Sequence, residues 1–156
     1  MNRFLPICFL LTFYVFVVVG CSRTAQDIVP SSPVTLYSLD GKASEDDLVK
    51  GNGFDGFPVL GSVEIKDVPT RKKLVTALNA GITESDGTMA KCFWPRHAIE
   101  MDVDGKPTRF IICFECLQIK IVAEGEEDRV VATTNERESL FDEVLKAAAV
   151  ELAPKS

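Results

Sequence analysis

From Leu117 to Ile121 apolar and polar residues alternate, with Leu117, Ile119 and Ile121 set against Gln118 and Lys120. A period of two marks a strand with one buried face. The same period returns in Val59–Ile65, where Val63 and Ile65 alternate with Glu64 and Lys66. Val34–Leu39 reads as a third strand, ending at Asp40-Gly41. Two more, Ala98–Val103 and Thr108–Cys113, flank Asp104-Gly105, a residue pair that a tight hairpin turn prefers. Elsewhere the period changes to that of a helix. Leu74, Val75, Leu78 and Ile82 share one face behind Asp67 as N-cap and Pro69 in the first turn. This helix is expected to run to Ala80 and stop at Gly81, with Arg71, Lys72 and Lys73 solvated. A second helix has Asn135 as its cap and Glu138 three residues on, the spacing of a capping box. Its stripe is Leu140, Phe141, Val144, Leu145 and Ala148, and Pro154 lies past its end. Between these elements lie one helical turn at Ser44–Asp47, a glycine-rich loop at Gly51–Gly56, a polar loop from Ile82 to Lys91, and an exposed acidic turn at Glu124–Asp128.

Strands dominate the middle of the chain, and two helices are too few to alternate with them as βαβ units. The expected class is therefore α+β: an antiparallel sheet of about five strands with two helices on one face. Residues 34–154 form a single domain in this reading, long enough for a core of its own, and no internal repeat interrupts it.

The N-terminus is organised differently. Arg3 supplies a positive charge, and Ile7–Val19 is apolar apart from Thr12 and Tyr14. That run is shorter than the roughly 20 residues that span a bilayer core, and it closes on the small residue Gly20 before Cys21. A charged start, a short apolar stretch and a small-residue cleavage site read as a secretory signal. Val18-Val19-Gly20-Cys21 resembles the lipobox of bacterial membrane lipoprotein precursors, although Leu more often stands where Val18 does. The resemblance implies cleavage before Cys21, so that residues 1–20 are a signal peptide. It also implies lipidation of the Cys21 sulfur, acylation of its new amine, and a place in the cell envelope on the exported side of a bacterial membrane. Residues 21–33 then form a lipidated tether, polar with two prolines from Ser22 to Pro33, whose flexible part of about 12 residues reaches roughly 20 Å.

Charge narrows the partners. The chain carries a formal net charge of −6, and loss of Arg3 with the leader would make it more acidic. Nucleic acid, whose phosphates demand basic patches, is excluded as an expected partner. An anionic membrane surface would not attract the chain by charge either, so the lipid must do the anchoring.

Candidate chemistry gathers in two short segments. Cys92-Phe93-Trp94-Pro95-Arg96-His97 and Cys113-Phe114-Glu115-Cys116 hold the only histidine, the only tryptophan and every cysteine that would remain unmodified after the expected processing. Three cysteines outside the cytoplasm leave a spare thiol, an intermolecular pair or a metal site. Pairing about Asp104-Gly105 sets His97 opposite Ile112, next to Cys113, and brings Cys92 near Cys116. The spacing is C-x4-H-x15-C-x2-C. Three readings stand side by side. One is a zinc site of Cys92, His97, Cys113 and Cys116, which has the right ligand count for a tetrahedron but lacks a glycine-containing knuckle. The second is a disulfide, Cys113–Cys116 or Cys92–Cys116, which an exported compartment permits. The third is buried, reduced cysteines acting as small apolar residues, with Arg96 and His97 hydrogen-bonded structurally. Thiol-redox catalysis is a narrower form of the second, because a working C-x-x-C normally sits at a helix N-terminus and Cys116 leads toward a strand. Covalent haem attachment is excluded, since Leu117 and not His follows Cys116.

Other signals are weaker. Gly51–Gly56 matches G-x-G-x-x-G, but a strand-like segment rather than a helix follows it, which removes the phosphate-binding helix terminus. Asp102-Val103-Asp104-Gly105 lacks the remaining ligands of a calcium loop. Hydrolysis by a Ser-His-acid triad would have to use His97, and no G-x-S-x-G is present.

Cys92–His97 and Ile112–Cys116 together resemble small bacterial proteins that carry a C-F-x-P-R-H stretch and a downstream I-C-F-E-C stretch. The resemblance spans about residues 34–154 and brings no established activity with it. It implies that the two segments form one site or one structural knot. The functional expectation is a lipid-anchored envelope protein acting as a non-enzymatic binding or structural module, with a protein or small molecule as its unnamed partner. The alternative is a metal-binding lipoprotein with zinc as its cofactor, or a thiol-redox one.

Overall fold

Asp104 and Gly105 adopt left-handed φ angles of 52° and 79°, as a two-residue hairpin turn requires. They join two long strands, β3 (His97–Val103) and β4 (Lys106–Cys113), in the register the turn dictates, with His97 opposite Ile112. A computed structural model describes residues 32–43 and 53–155. The signal-like segment, Cys21, the tether up to residue 31, the turn at Ser44–Asp47 and the start of the glycine-rich loop lie outside the described residues. The remaining elements are β1 (Val34–Leu39), β2 (Val59–Ile65), α1 (Val68–Thr83), β5 (Gln118–Ala123), β6 (Arg129–Ala132) and α2 (Glu138–Ala147). One antiparallel sheet results, in the order β2-β1-β3-β4-β5-β6. The fold is α+β.

Among the described residues the sheet has six strands where the pattern predicts about five. The addition is β6, four residues long, with Arg129 and Val130 exposed, the latter to 54%. A short edge strand buries too little on either face to print a period of two in the sequence. It follows the acidic turn at Glu124–Asp128 and pairs with β5 from Gln118↔Ala132 to Ile121↔Arg129.

The two faces of the sheet are covered by different things. On one, Leu36, Ile99, Ile112, Ile119 and Ile121 pack against Leu74, Val75 and Leu78 of α1 and Phe141 and Leu145 of α2. Both helices thus share one face and one core. On the other face Leu39, Ala98 and Ile111 are buried beneath Phe54, with Tyr37, Phe57 and Phe93 around it. No helix is involved there. A loop does the covering: Asp55 and Gly56, at φ 53° and 90°, close a tight turn in which Phe54 and Phe57 bond to each other's backbones. Lys120 pins that turn to β5 through Asp55, 2.7 Å away.

Several local expectations are corrected by packing. Helix α1 does not stop at Gly81 but continues to Thr83. Gly81 is buried within it, where a Cβ would lie 2.6 Å from the Thr133 hydroxyl. The glycine permits that close approach and does not act as a helix stop. Arg71 is buried rather than solvated, and its guanidinium donates to the Ser32 carbonyl at 2.6 Å. Asp67 does cap α1, accepting from the Thr70 amide at 2.9 Å. At α2 the capping box does not form. The helix begins at Glu138 with Arg137 in the cap position and no side-chain cap bond, and Ala148 is exposed beyond it. Leu117 is not in a strand either. It closes the β4–β5 turn at φ 56°.

Candidate functional site

Every sequence-derived candidate in the folded domain lies at one end of β3 and β4, but a strand separates them into two groups. Successive side chains on a strand point to opposite faces. His97 therefore shares the helix-covered face with Ile99 and Met101, whereas Cys113 shares the loop-covered face with Ile111. The expected pairing of His97 with Ile112 is present. That pairing is what puts His97 and Cys113 on different sides.

The loop-covered side holds the sulfurs. Strand β4 ends at Cys113, and the turn through Phe114, Glu115 and Cys116 returns the chain through left-handed Leu117 into β5. Cys113 and Cys116 form a disulfide across this turn, with their Cα atoms 5.2 Å apart. The segment before β3 runs alongside. The Ala90 amide donates to the Cys116 carbonyl at 2.9 Å, and the Gln118 side chain donates to the carbonyls of Ala90 and of Cys92, the latter at 3.1 Å. These bonds carry Cys92 to the turn. Cys92 is a free, half-buried thiol whose Sγ lies 2.7 Å from Cys116 Sγ. The Trp94 amide donates to the same Cys116 sulfur at 3.4 Å, and the Cys116 amide to Cys113 Sγ at 3.1 Å. Gly41 backs this segment so closely that a Cβ there would collide with the Trp94–Pro95 backbone. Trp94 itself is 45% exposed, with the Lys42 ammonium 5.7 Å from its ring centre.

The helix-covered side holds a buried ionic knot. Arg96 donates from Nη1 to Glu138 Oε1 at 2.5 Å and from Nε to the Ala153 carbonyl at 2.8 Å. Its Nη2 is 3.9 Å from Asp142 Oδ1. His97 Nε2 lies 2.8 Å from the same Asp142 oxygen. Lys155 binds the other oxygen of Glu138 at 2.7 Å. Strand β3, helix α2 and the C-terminal segment are thereby tied at one point. The His97 ring is wholly buried and meets Phe114 and Phe141 edge-on at centroid distances of 5.5 and 5.9 Å. Its Nδ1 has no hydrogen-bond partner. A bare lone pair is tolerated in an aromatic cage better than an unsatisfied N–H, so the ring proton belongs on Nε2, which donates to Asp142. Burial holds the imidazole pKa below its ordinary 6.5, against the opposing pull of Asp142. The hydrogen bond from His97 holds the Asp142 carboxyl below its usual range.

Glu138 and Asp142 were not among the candidate residues read from the sequence. One signal does point to them. They sit four apart on the face of α2 that also carries Phe141 and Leu145, and two carboxylates within an apolar stripe demand buried cations. The adjacent Arg96 and His97, where β3 begins, are the matching demand.

His97, Glu138 and Asp142 bring ligand-type atoms within 4.8 Å of one another, the spacing a metal centre would use. Arg96 already fills the cation's role, 2.5 Å from one carboxylate and 3.9 Å from the other. With His97 neutral, Arg96, Lys155 and, at 4.0 Å from Asp142, Lys146 already compensate Glu138 and Asp142. A divalent ion would add two uncompensated charges to a buried site or displace an arginine fixed by the Ala153 carbonyl. The four-ligand zinc arrangement of Cys92, His97, Cys113 and Cys116 is not brought together, because the histidine faces α2.

No protein-family model, no curated protein and no solved structure matches the chain.

Proposed function

We propose that the chain is a lipid-anchored cell-envelope protein whose α+β domain serves as a non-enzymatic binding or structural module. The anchoring half of the proposal rests on Val18-Val19-Gly20-Cys21 and the short apolar run before it. The observation that carries the module half is the ionic knot. The only histidine and its neighbouring arginine spend their hydrogen bonds on Asp142, Glu138 and the Ala153 carbonyl, holding the chain's end to its sheet. Among the described residues no helix is long and apolar enough to cross a membrane; the anchor in this reading is the lipid on Cys21. For binding, a groove of about 880 Å³ runs between α1 and α2, with Thr76, Ala77, Ala80 and Leu140 on its walls. Replacing Cys21 with Ser tests the anchor. Acyl labelling should disappear and an unprocessed precursor accumulate. Labelling that persists, or a wild-type chain cut elsewhere and released, contradicts it.

A second reading, a thiol-redox lipoprotein, draws on one observation: the Cys92 thiol lies 2.7 Å from a sulfur of the Cys113–Cys116 disulfide.

A further inference from the structure

We propose that Cys92, Cys113 and Cys116 form a three-sulfur exchange site in which Cys116 is shared, and that Cys92 is the sulfur through which an external dithiol reaches the buried disulfide. The proposal deepens the thiol-redox reading and rests on it.

Access and position divide the labour. Cys113 and Cys116 are 1% and 0% exposed, so a thiol arriving from solvent cannot attack either directly. Cys92 is only half-buried and sits against Cys116. Exchange proceeds by attack of a thiolate on one sulfur of a disulfide. Cys92, having lost its proton to solvent, forms a bond to Cys116 Sγ. The Cys113–Cys116 bond breaks, and Cys113 leaves as a thiolate that takes up a proton. No electrons enter or leave the protein in this step. The Cys116 sulfur is the only one that can be shared, because it is the atom Cys92 touches. The Trp94 amide, donating to it, is in place to stabilise charge that develops there.

The new Cys92–Cys116 bond has one half-exposed end. A dithiol in solution attacks Cys92 Sγ with its first thiolate, releasing Cys116 as a thiolate. Its second thiol then displaces Cys92. The dithiol is oxidised to a disulfide, and Cys92, Cys113 and Cys116 end as three thiols, a balanced two-electron transfer. The partner class is a small or protein-borne dithiol.

The chain's own cleavage sites make the test direct. Trypsin releases Cys92 on 92–96 and places Cys113 and Cys116 together on 110–120, while cleavage after Glu115 separates those two. Full-length protein is alkylated at low pH without reductant, digested and mapped, and its reduction by dithiothreitol is timed in wild type and in Cys92→Ser. The proposal expects two populations: an internal Cys113–Cys116 link with Cys92 alkylated, and a Cys92–Cys116 link with Cys113 alkylated. It also expects reduction to slow by about tenfold or more in Cys92→Ser, since the accessible route is lost. Finding only the Cys113–Cys116 link, with the same reduction rate in the variant, overturns the exchange site while leaving a disulfide in place. Three alkylated thiols that persist after treatment with the thiol oxidant diamide, with neither link formed, overturn the thiol-redox reading itself. The wild-type mapping does not depend on the variant's folding.

Discussion

The two faces of the sheet bury polar chemistry in opposite ways. On the helix-covered face, Arg96, His97, Glu138 and Asp142 pair with one another in a closed set, and each charge has a named partner within the fold. On the loop-covered face, three sulfurs share one bond, and Cys92 is left over at partial exposure. The first arrangement is inert because it is satisfied. The second is reactive because it is one bond short. What separates them is a single strand's alternation: Ile112 and Cys113 are neighbours in the chain and face opposite ways.

The comparison can be broken first at the ionic knot. Arg96→Ala removes the cation from between two buried carboxylates, and loss of one member of such a set costs about 3–5 kcal/mol. Urea denaturation should read that loss. A change below about 1 kcal/mol would show that Glu138 and Asp142 find solvent instead of Arg96. The cores beneath the two faces should then rank in the same order. Leu145→Ala, within the helix-covered core, should cost about 3–5 kcal/mol, and Phe54→Ala, beneath a single loop turn, about 2–3 kcal/mol because the loop can relax into the space. Equal losses would mean that the loop is as rigid a lid as two helices. The smallest effect belongs to the ion pairs of the loop face. Lys120 reaches Asp55 at 2.7 Å and Asp128 at 3.0 Å but remains partly exposed, so Lys120→Ala should cost no more than about 1 kcal/mol and less at high salt.

Much of this was legible in the sequence, and the failures share a cause. Asp104-Gly105 specified the hairpin and its register because the turn's left-handed φ angles are a local demand that few residue pairs meet. Asp67 was legible as a cap for the same reason. Glu138 was misread because a capping box and a buried ion pair ask for the same residue, and the tertiary partner, Arg96, lies 42 residues away. Gly81 was misread because helix termination and close approach both favour glycine, and only the position of Thr133 decides between them. The cysteines and histidine were placed at the right end of the sheet. The histidine does not join the sulfurs, because residues adjacent along a strand diverge across it. Strand β6 left no pattern to read, being short, partly exposed and at an edge.

Acid should separate the faces further. The unfolded chain protonates His97 near its ordinary 6.5, whereas the folded chain resists until lower pH. The unfolded state therefore binds the extra proton first, and stability is full above about 6.5 and falls as pH drops below it, with a slope of at most about 1.4 kcal/mol per pH unit for one proton. Asp142, held below its ordinary 3.8, adds a second loss once pH falls through that range. A stability profile flat from pH 7 to 5 would remove His97 from the knot.

The chain's single histidine makes the central claim, that the sheet divides a closed ionic knot from an open sulfur site, measurable at one residue. Nitrogen-15 NMR of the His97 ring in the full-length protein, followed through pH and then after reduction and addition of zinc, reads both its protonation and its neighbours. The account predicts a neutral ring at pH 7 with its proton on Nε2, a titration midpoint below 6.5, and ring shifts that stay put when the reduced cysteines meet zinc. A midpoint at or above 6.5, or ring nitrogens that move when zinc binds, would place His97 with the sulfurs and contradict it.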